Sequence, residues 1–285
     1  MSLLQALLLG ILQGAAEFLP ISSSGHLVLV PWLLGWESPG LVFDAVVHWG
    51  TAAAVIVYFR AQWVSLIREA LASLRCTLFN RTGAPAGGSR GGAGPHRTPL
   101  LWLIVVGTLP GALAGYLFED FFESMFGRPA AAASFLLVTA ALLAASEWMG
   151  RRARNLDGLE WLDAVLVGVG QALAILPGIS RSGATLAAGL GRGLKREPAA
   201  VFSFLLATPI ILGAGMTKVV ELLSGGGLAT QAPALLVGFG TAAAVGFGSI
   251  RLLLRYLQRH RLYVFAVYCA LFGTLCLILT WVRGG

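Results

Sequence analysis

Two of the apolar stretches in this chain are broken in the middle by groups that lipid cannot solvate, and this limits the fold more than any other feature. Residues 3–34 are interrupted by Glu17, Pro20, Ser22, Ser23, Ser24 and His26, and residues 161–190 by Pro177, Gly178, Ser180 and Ser182. A proline frees backbone groups that hydrocarbon cannot satisfy, so neither stretch is one lipid-exposed helix; each reads as helix, polar turn, helix. Six unbroken apolar runs, 41–59, 100–118, 129–149, 198–218, 232–254 and 262–282, sit near the ~20 residues that a spanning helix needs. The expected fold is an all-α integral membrane protein with six transmembrane helices and two re-entrant helical hairpins.

Composition agrees: 57% of the 285 residues are hydrophobic and 12% charged, with a mean hydropathy of +0.80. The formal charge of +7 raises nucleic-acid binding as a function. Its distribution excludes it, because the basic residues fall in short clusters between apolar runs, as membrane-flanking charges do. Cys76, Cys269 and Cys276 show neither a disulfide framework nor metal-ligand spacing and read as small apolar residues. Leu3–Leu12 resembles a signal-peptide core, but no basic residue precedes it and polar Gln13 and Glu17 come directly after it, so it is read as part of the mature protein.

With both hairpins returning to the face they entered from, the basic residues segregate. Arg60, Arg68, Arg75, Arg81, Arg90 and Arg97, the 151–154 and 192–196 clusters, and Arg251, Arg255, Arg259 and Arg261 fall inside; Arg128, Lys218 and Arg283 fall outside. Both termini and the acidic loop of Glu119, Asp120 and Glu123 are then external. Residues 61–79 place Trp63, Leu66, Ile67, Ala70, Leu71 and Leu74 on one helical face, the pattern of an interfacial helix. Residues 80–99, rich in Gly, Pro and Arg, read as a mobile cytoplasmic loop.

The broken stretches repeat one another. Gly10, Gln13, Ser22, Ser24 and Gly25 correspond to Gly168, Gln171, Ser180, Ser182 and Gly183, each 158 positions on, with a one-residue slip at Pro20 and Pro177. Three spans come after each hairpin, an odd number, so the second copy enters from the opposite face and the two polar turns meet near the midplane. The chain divides into a first repeat, 1–150 (hairpin 1–36, three spans, cytoplasmic loop 60–99), and an inverted second repeat, 151–285 (hairpin 160–192, three spans), together one functional unit.

Gln13 and Glu17, four apart, share a helix face; Pro20 ends that helix and leaves the serines and His26 at the turn. A carboxylate at membrane depth is a functional candidate unless it is merely protonated and bonded to a neighbour. The serines are helix caps or hydroxyls for chemistry, and His26 a buried hydrogen-bonding group or a base. In the second turn Arg181 stays charged and needs an anion, which its planar fork suits to phosphate; Ser180, Ser182, Thr185 and the helix N-terminal amides complete a phosphate cradle. The plain alternative is Arg181 neutralising Glu17.

These segments, Gln13-x-x-x-Glu17 and Pro177-Gly-x-Ser-Arg-Ser-x-x-Thr185, together with Phe202-Ser-Phe-Leu-Leu-Ala-Thr-Pro209, resemble the bacterial undecaprenyl-diphosphate phosphatase family called BacA or UppP. Gln13 stands where that family often has Glu, and the 80–99 loop is unlike its core. The resemblance implies hydrolysis of undecaprenyl diphosphate to the monophosphate carrier of cell-wall precursors. It also implies a divalent metal, Mg2+ or Ca2+, a site facing the outer side of the bacterial cytoplasmic membrane, and functional roles for Gln13, Glu17, Ser23, His26 and Arg181.

Three chemistries fit this set: Ser23 attacking phosphorus with His26 or Glu17 as base, His26 attacking, or Glu17 holding the metal. Ser22, Ser24, Ser180, Ser182 and Thr185 join Gln13 as candidate substrate-binding groups. Asp44 and His48, four apart, line the pocket or form a helix-surface pair; His96 and His260 invite no role, and Gly225–Gly227 is a loop. The rival function is a transporter or flippase of a phosphorylated lipid, which the architecture alone would favour. A structural subunit ranks last because it leaves Glu17 and Arg181 as unexplained cost.

Overall fold

The computed structural model describes residues 1–79, 99–149, 152–224 and 228–283, and the regular elements among them are helices. The first half contains α1 (Leu3–Ala16), α2 (Ser23–Leu34), α3 (Leu41–Tyr58), α4 (Arg60–Phe79), α5 (Leu100–Leu117), α6 (Glu119–Phe126) and α7 (Pro129–Met149). The second contains α8 (Trp161–Leu173), α9 (Arg181–Gly191), α10 (Arg196–Ser224), α11 (Leu228–Leu257) and α12 (Tyr263–Val282). The six expected spans coincide with α3, α5, α7, α10, α11 and α12, all long and apolar enough to cross a bilayer. The expected 80–99 loop and Gly225–Gly227 run lie outside the described residues, apart from Pro99 at the start of α5.

Both broken stretches fold as paired short helices. α1, α2, α8 and α9 have 14, 12, 13 and 11 residues. At ~1.5 Å per residue each reaches roughly 16–21 Å, short of a ~30 Å hydrocarbon core and consistent with re-entrant hairpins. Ser2 starts α1 with a capping box, its Oγ accepting from the Gln5 amide. Gly35, at φ 67°, closes α2 with the left-handed residue that ends many helices.

Contacts between the halves cross over. α1 packs on α11 and α8 on α5, while α3 meets α10 and α7 meets α12. The same crossing is built twice from glycine: a Cβ on Gly10 would lie 2.8 Å from the Gly238 carbonyl oxygen, and one on Gly168 would overlap the Gly107 carbonyl. In lipid, close backbone approach of this kind replaces the hydrophobic effect as the force holding helices together.

Three helices, α6, α10 and α11, differ from expectation, and α4 agrees with it. The acidic stretch expected to be an external loop is the short helix α6, whose Glu119 and Glu123 carboxylates face Lys218 Nζ at 3.5 and 2.6 Å. α10 and α11 outrun their apolar cores, since 29 and 30 residues reach beyond the hydrocarbon into the polar interface. On α4, Leu66 and Ala70 pack inward, while Ile67, Leu71 and Leu74 stay exposed, as befits a helix whose apolar face meets lipid.

The basic clusters expected inside serve as anchors. Glu147 in α7 accepts from Arg196 through both oxygens, at 2.7 Å each, from the Leu262 amide at 3.0 Å, and pairs with Arg152 at 2.5 Å. Asp163 in α8 pairs with Arg154 (2.6 Å) and Arg192 (2.5 Å). Each carboxylate is sealed from solvent while its arginines are partly exposed. Glu147→Ala therefore strands cations that water still reaches, and should cost about 2–3 kcal/mol, below the ~3–5 of a fully buried pair. A thermal-unfolding midpoint in detergent lowered by roughly 5 °C would show it; an unchanged midpoint would contradict it.

Candidate active site

The two polar turns meet. Glu17, 7% exposed just beyond α1, is the centre: its Oε2 accepts from Ser23 Oγ at 2.5 Å and from Gln13 Nε2 at 3.0 Å, and its Oε1 lies 3.9 Å from Arg181 Nη1. Ser23 and Arg181 are the first residues of α2 and α9. They stand 158 positions apart, so one position of the repeat supplies the hydroxyl in the first half and the guanidinium in the second.

Arg181 is therefore held beside the carboxylate without being consumed by it. Its Nη1 is buried and makes no hydrogen bond among the described residues, leaving a donor for a phosphate oxygen. The separation between turns is small throughout: Ser182 Oγ donates to the Leu19 carbonyl at 3.3 Å, and a Cβ on Gly25 would lie 2.9 Å from Gly178 Cα.

The remaining hydroxyls sort by partner. Ser22 and Ser180 are caps, accepting from the amides of Gly25 (3.2 Å) and Gly183 (3.0 Å). Thr185 bonds the Arg181 carbonyl (2.6 Å) and Ser203 Oγ (2.6 Å), fixing the turn that carries the guanidinium. Ser182 faces Leu19 and Ser180. Ser24 joins Ser23 on the wall of the main cavity, and Ser182 lines a small neighbouring pocket together with Glu17 and Arg181.

Each turn is braced from outside its own hairpin. In the second, Gly178 at φ 105° makes the corner, and Thr139 of α7 donates to its carbonyl (2.8 Å) while accepting from the Ser180 amide (2.9 Å). In the first, Ser22 takes the strained φ of 71°, and α12 supplies the brace through His26. His26 Nδ1 bonds the Ser22 carbonyl (2.7 Å), Nε2 bonds Tyr268 Oη (2.7 Å), and the ring stacks on Phe272.

The structure thus places His26, 2% exposed, against Tyr268 and Phe272 of α12. Both nitrogens are thus engaged, one on the turn that carries Ser23 and one on α12, an arrangement suited to bracing that turn. His26→Ala should lower kcat roughly 10- to 100-fold, the cost of holding a strained turn without its brace, and keep every limb of the pH–rate profile. A missing limb would return the histidine to proton transfer.

A cavity of 530 Å3 runs from Ser23, Ser24 and Arg181 toward Glu119, Glu123 and Lys218. Its size suits a lipid headgroup with the first part of an apolar chain. Asp44 and His48 both line it, so the pair belongs to the pocket. His48 Nδ1 bonds the Asp44 carbonyl at 2.6 Å and Nε2 lies 3.4 Å from Glu17 Oε2, a contact the sequence did not reveal because it joins two hairpin-distant helices.

Among the described residues no group of three or more His, Cys, Asp or Glu side chains is spaced as metal ligands. A hard cation bound in the Mg2+ manner needs only one or two protein oxygens, since phosphates and waters complete its shell. Gln13 Oε1, buried beside Glu17 without a partner among the described residues, is an oxygen of that kind. The donors present fit such a cation and do not form an all-protein cage.

Residues 6–275 match the family model described as "Bacitracin resistance protein BacA". Among curated relatives, proteins named "Undecaprenyl-diphosphatase" from Desulforudis audaxviator and Moorella thermoacetica are 39% and 42% identical over 280 and 283 residues. These alignments span 98% and 99% of this chain and 98% and 100% of the relatives. One from Geobacter sulfurreducens is 42% identical over 274 residues, 96% of each chain. On a match this long, the chain belongs to the bacitracin resistance protein BacA family.

Proposed function

We propose that the chain hydrolyses undecaprenyl diphosphate to undecaprenyl phosphate and orthophosphate, recycling the lipid carrier for cell-wall synthesis. The observation that carries this reading is the 2.5 Å contact of Ser23 Oγ with Glu17 Oε2 beside an unsaturated Arg181, at the end of a cavity that is mostly apolar. The names of the relatives support the same substrate.

Ser23 Oγ attacks the terminal phosphorus as its proton passes to Glu17. The bond from that phosphorus to the bridging oxygen breaks, Glu17 passes the proton to that departing oxygen, and undecaprenyl phosphate leaves. Arg181 stabilises charge on the equatorial oxygens during both transfers. Water, deprotonated by the regenerated Glu17 carboxylate, then attacks the phosphoserine; the bond from phosphorus to Ser23 Oγ breaks, orthophosphate leaves, and Glu17 returns the proton to Ser23 Oγ. Gln13 keeps Glu17 turned toward Ser23. Mg2+ or Ca2+, held by Glu17 and Gln13 Oε1, would supply charge neutralisation on the diphosphate when bound.

The chain works as two inverted halves, 1–150 and 151–285, in the bacterial cytoplasmic membrane, with the cavity open to the outer side. The support is the charge count and the placement of Glu119, Glu123 and Lys218, expected to be external, on the cavity wall. The test is orthophosphate release by purified protein in detergent, with and without chelator, and then peptide mapping after acid quench. Phosphoserine at 23 is expected. Phosphohistidine at 26 would replace the nucleophile, and no release at all would favour a transporter or flippase, which needs two compartments.

A further inference from the structure

Among the described residues, Gln171 is the one buried amide at this site with nothing to bond. It is 1% exposed, lines the cavity from α8, and neither its Nε2 nor its Oε1 has a hydrogen-bond partner. Leaving both ends of a buried amide unpaired is costly, and such a group calls for a reason. Its counterpart in the first half shows what is missing. Gln13 Nε2 donates to Glu17, four residues on, whereas the residue four on from Gln171 is Ile175. The second half keeps the amide and drops the carboxylate that would satisfy it.

The surroundings identify the ligand. Gly111 of α5 lies against Gln171, where a Cβ would stand 3.5 Å from its Cγ and Nε2 and 2.6 Å from Ile210 Cδ1, so the neighbours of the amide here are a glycine and an apolar side chain that offer it no polar partner. Around it the wall is apolar, with Ala174, Ile175 and Ile210. Gln171 therefore stands where polar headgroup gives way to prenyl chain. A diphosphate lipid has one group at that junction, the ester-linked phosphate, whose oxygens accept hydrogen bonds only. A neutral donor suits it, since this phosphate remains on the product and must leave without a cation holding it.

We propose that Gln171 binds the ester-linked phosphate of the substrate through Nε2, while Ser23 and Arg181 act on the terminal phosphate. The proposal rests on the phosphatase reading above.

The test compares wild type with Gln171→Met, which keeps the volume and removes the amide, and with Gln171→Glu, which puts a carboxylate against the anion. Orthophosphate release from undecaprenyl diphosphate in detergent and the thermal midpoint are both measured. Gln171→Met should raise KM roughly 10-fold with kcat within about 3-fold, and weaken inhibition by undecaprenyl phosphate in proportion. Its midpoint should equal or exceed that of wild type, because an unpaired buried amide has gone. Gln171→Glu should raise KM further. An unchanged KM in Gln171→Met, or a fall in its midpoint of several degrees, would overturn the assignment and make the amide a packing group. Wild type that releases no orthophosphate would instead remove the phosphatase reading itself.

Discussion

Ser23→Ala should release orthophosphate from undecaprenyl diphosphate on the order of 10^4-fold more slowly than wild type, with substrate binding retained. The expected loss is large because, among the described residues, Ser23 Oγ is the one hydroxyl bonded to Glu17, at 2.5 Å, so no neighbour inherits its position. Ser24 lines the same cavity, but its Oγ faces Ser22 at 3.4 Å. The decisive measurement is single-turnover phosphate release together with recovery of a labelled peptide. Wild type should yield phosphoserine at 23 and Ser23→Ala none. A variant that keeps more than about a tenth of wild-type turnover would show that Ser23 is not the nucleophile.

Arg181→Ala should lower kcat by roughly 10^2- to 10^3-fold, the loss found when a preorganised donor to transition-state charge is removed. Arg181→Lys is the informative companion. It keeps a cation beside Glu17, so the hairpins stay neutralised and the thermal midpoint should hold. It lacks the planar fork, so most of the activity loss should persist. If Arg181→Lys recovered full turnover, the guanidinium would serve only to balance Glu17; if both variants unfolded alike, its role would be structural.

Much of this was legible before any coordinates. The six spans could be read because lipid demands about 20 apolar residues at a stretch, and the two hairpins because Pro20 and Pro177 sit where a helix cannot continue. The meeting of Glu17 and Arg181 came from inverting one copy relative to the other. Partners contributed by remote helices were not legible. His48 reaches Glu17 from α3, Thr139 clips the second turn from α7, and Tyr268 holds His26 from α12, none of them marked by spacing. His26 illustrates the limit: an imidazole three residues after a serine looks like a base, and only its two bonds, to Ser22 and Tyr268, show that its nitrogens are occupied. Capping was one of the two roles open to the serines, and Ser22 and Ser180 take it, by accepting from the amides of Gly25 and Gly183.

Position 23 and position 181 correspond in the two similar hairpin segments, 158 residues apart, and we read them as one place in an inverted, duplicated unit. Two identical copies of that unit, paired head to tail, would confront each other with two serines or two arginines and could not offer one of each. Joining the copies in a single polypeptide is what allows their sequences to diverge. One supplies the hydroxyl that bonds Glu17 and the other the guanidinium beside it, so neither half on its own holds both.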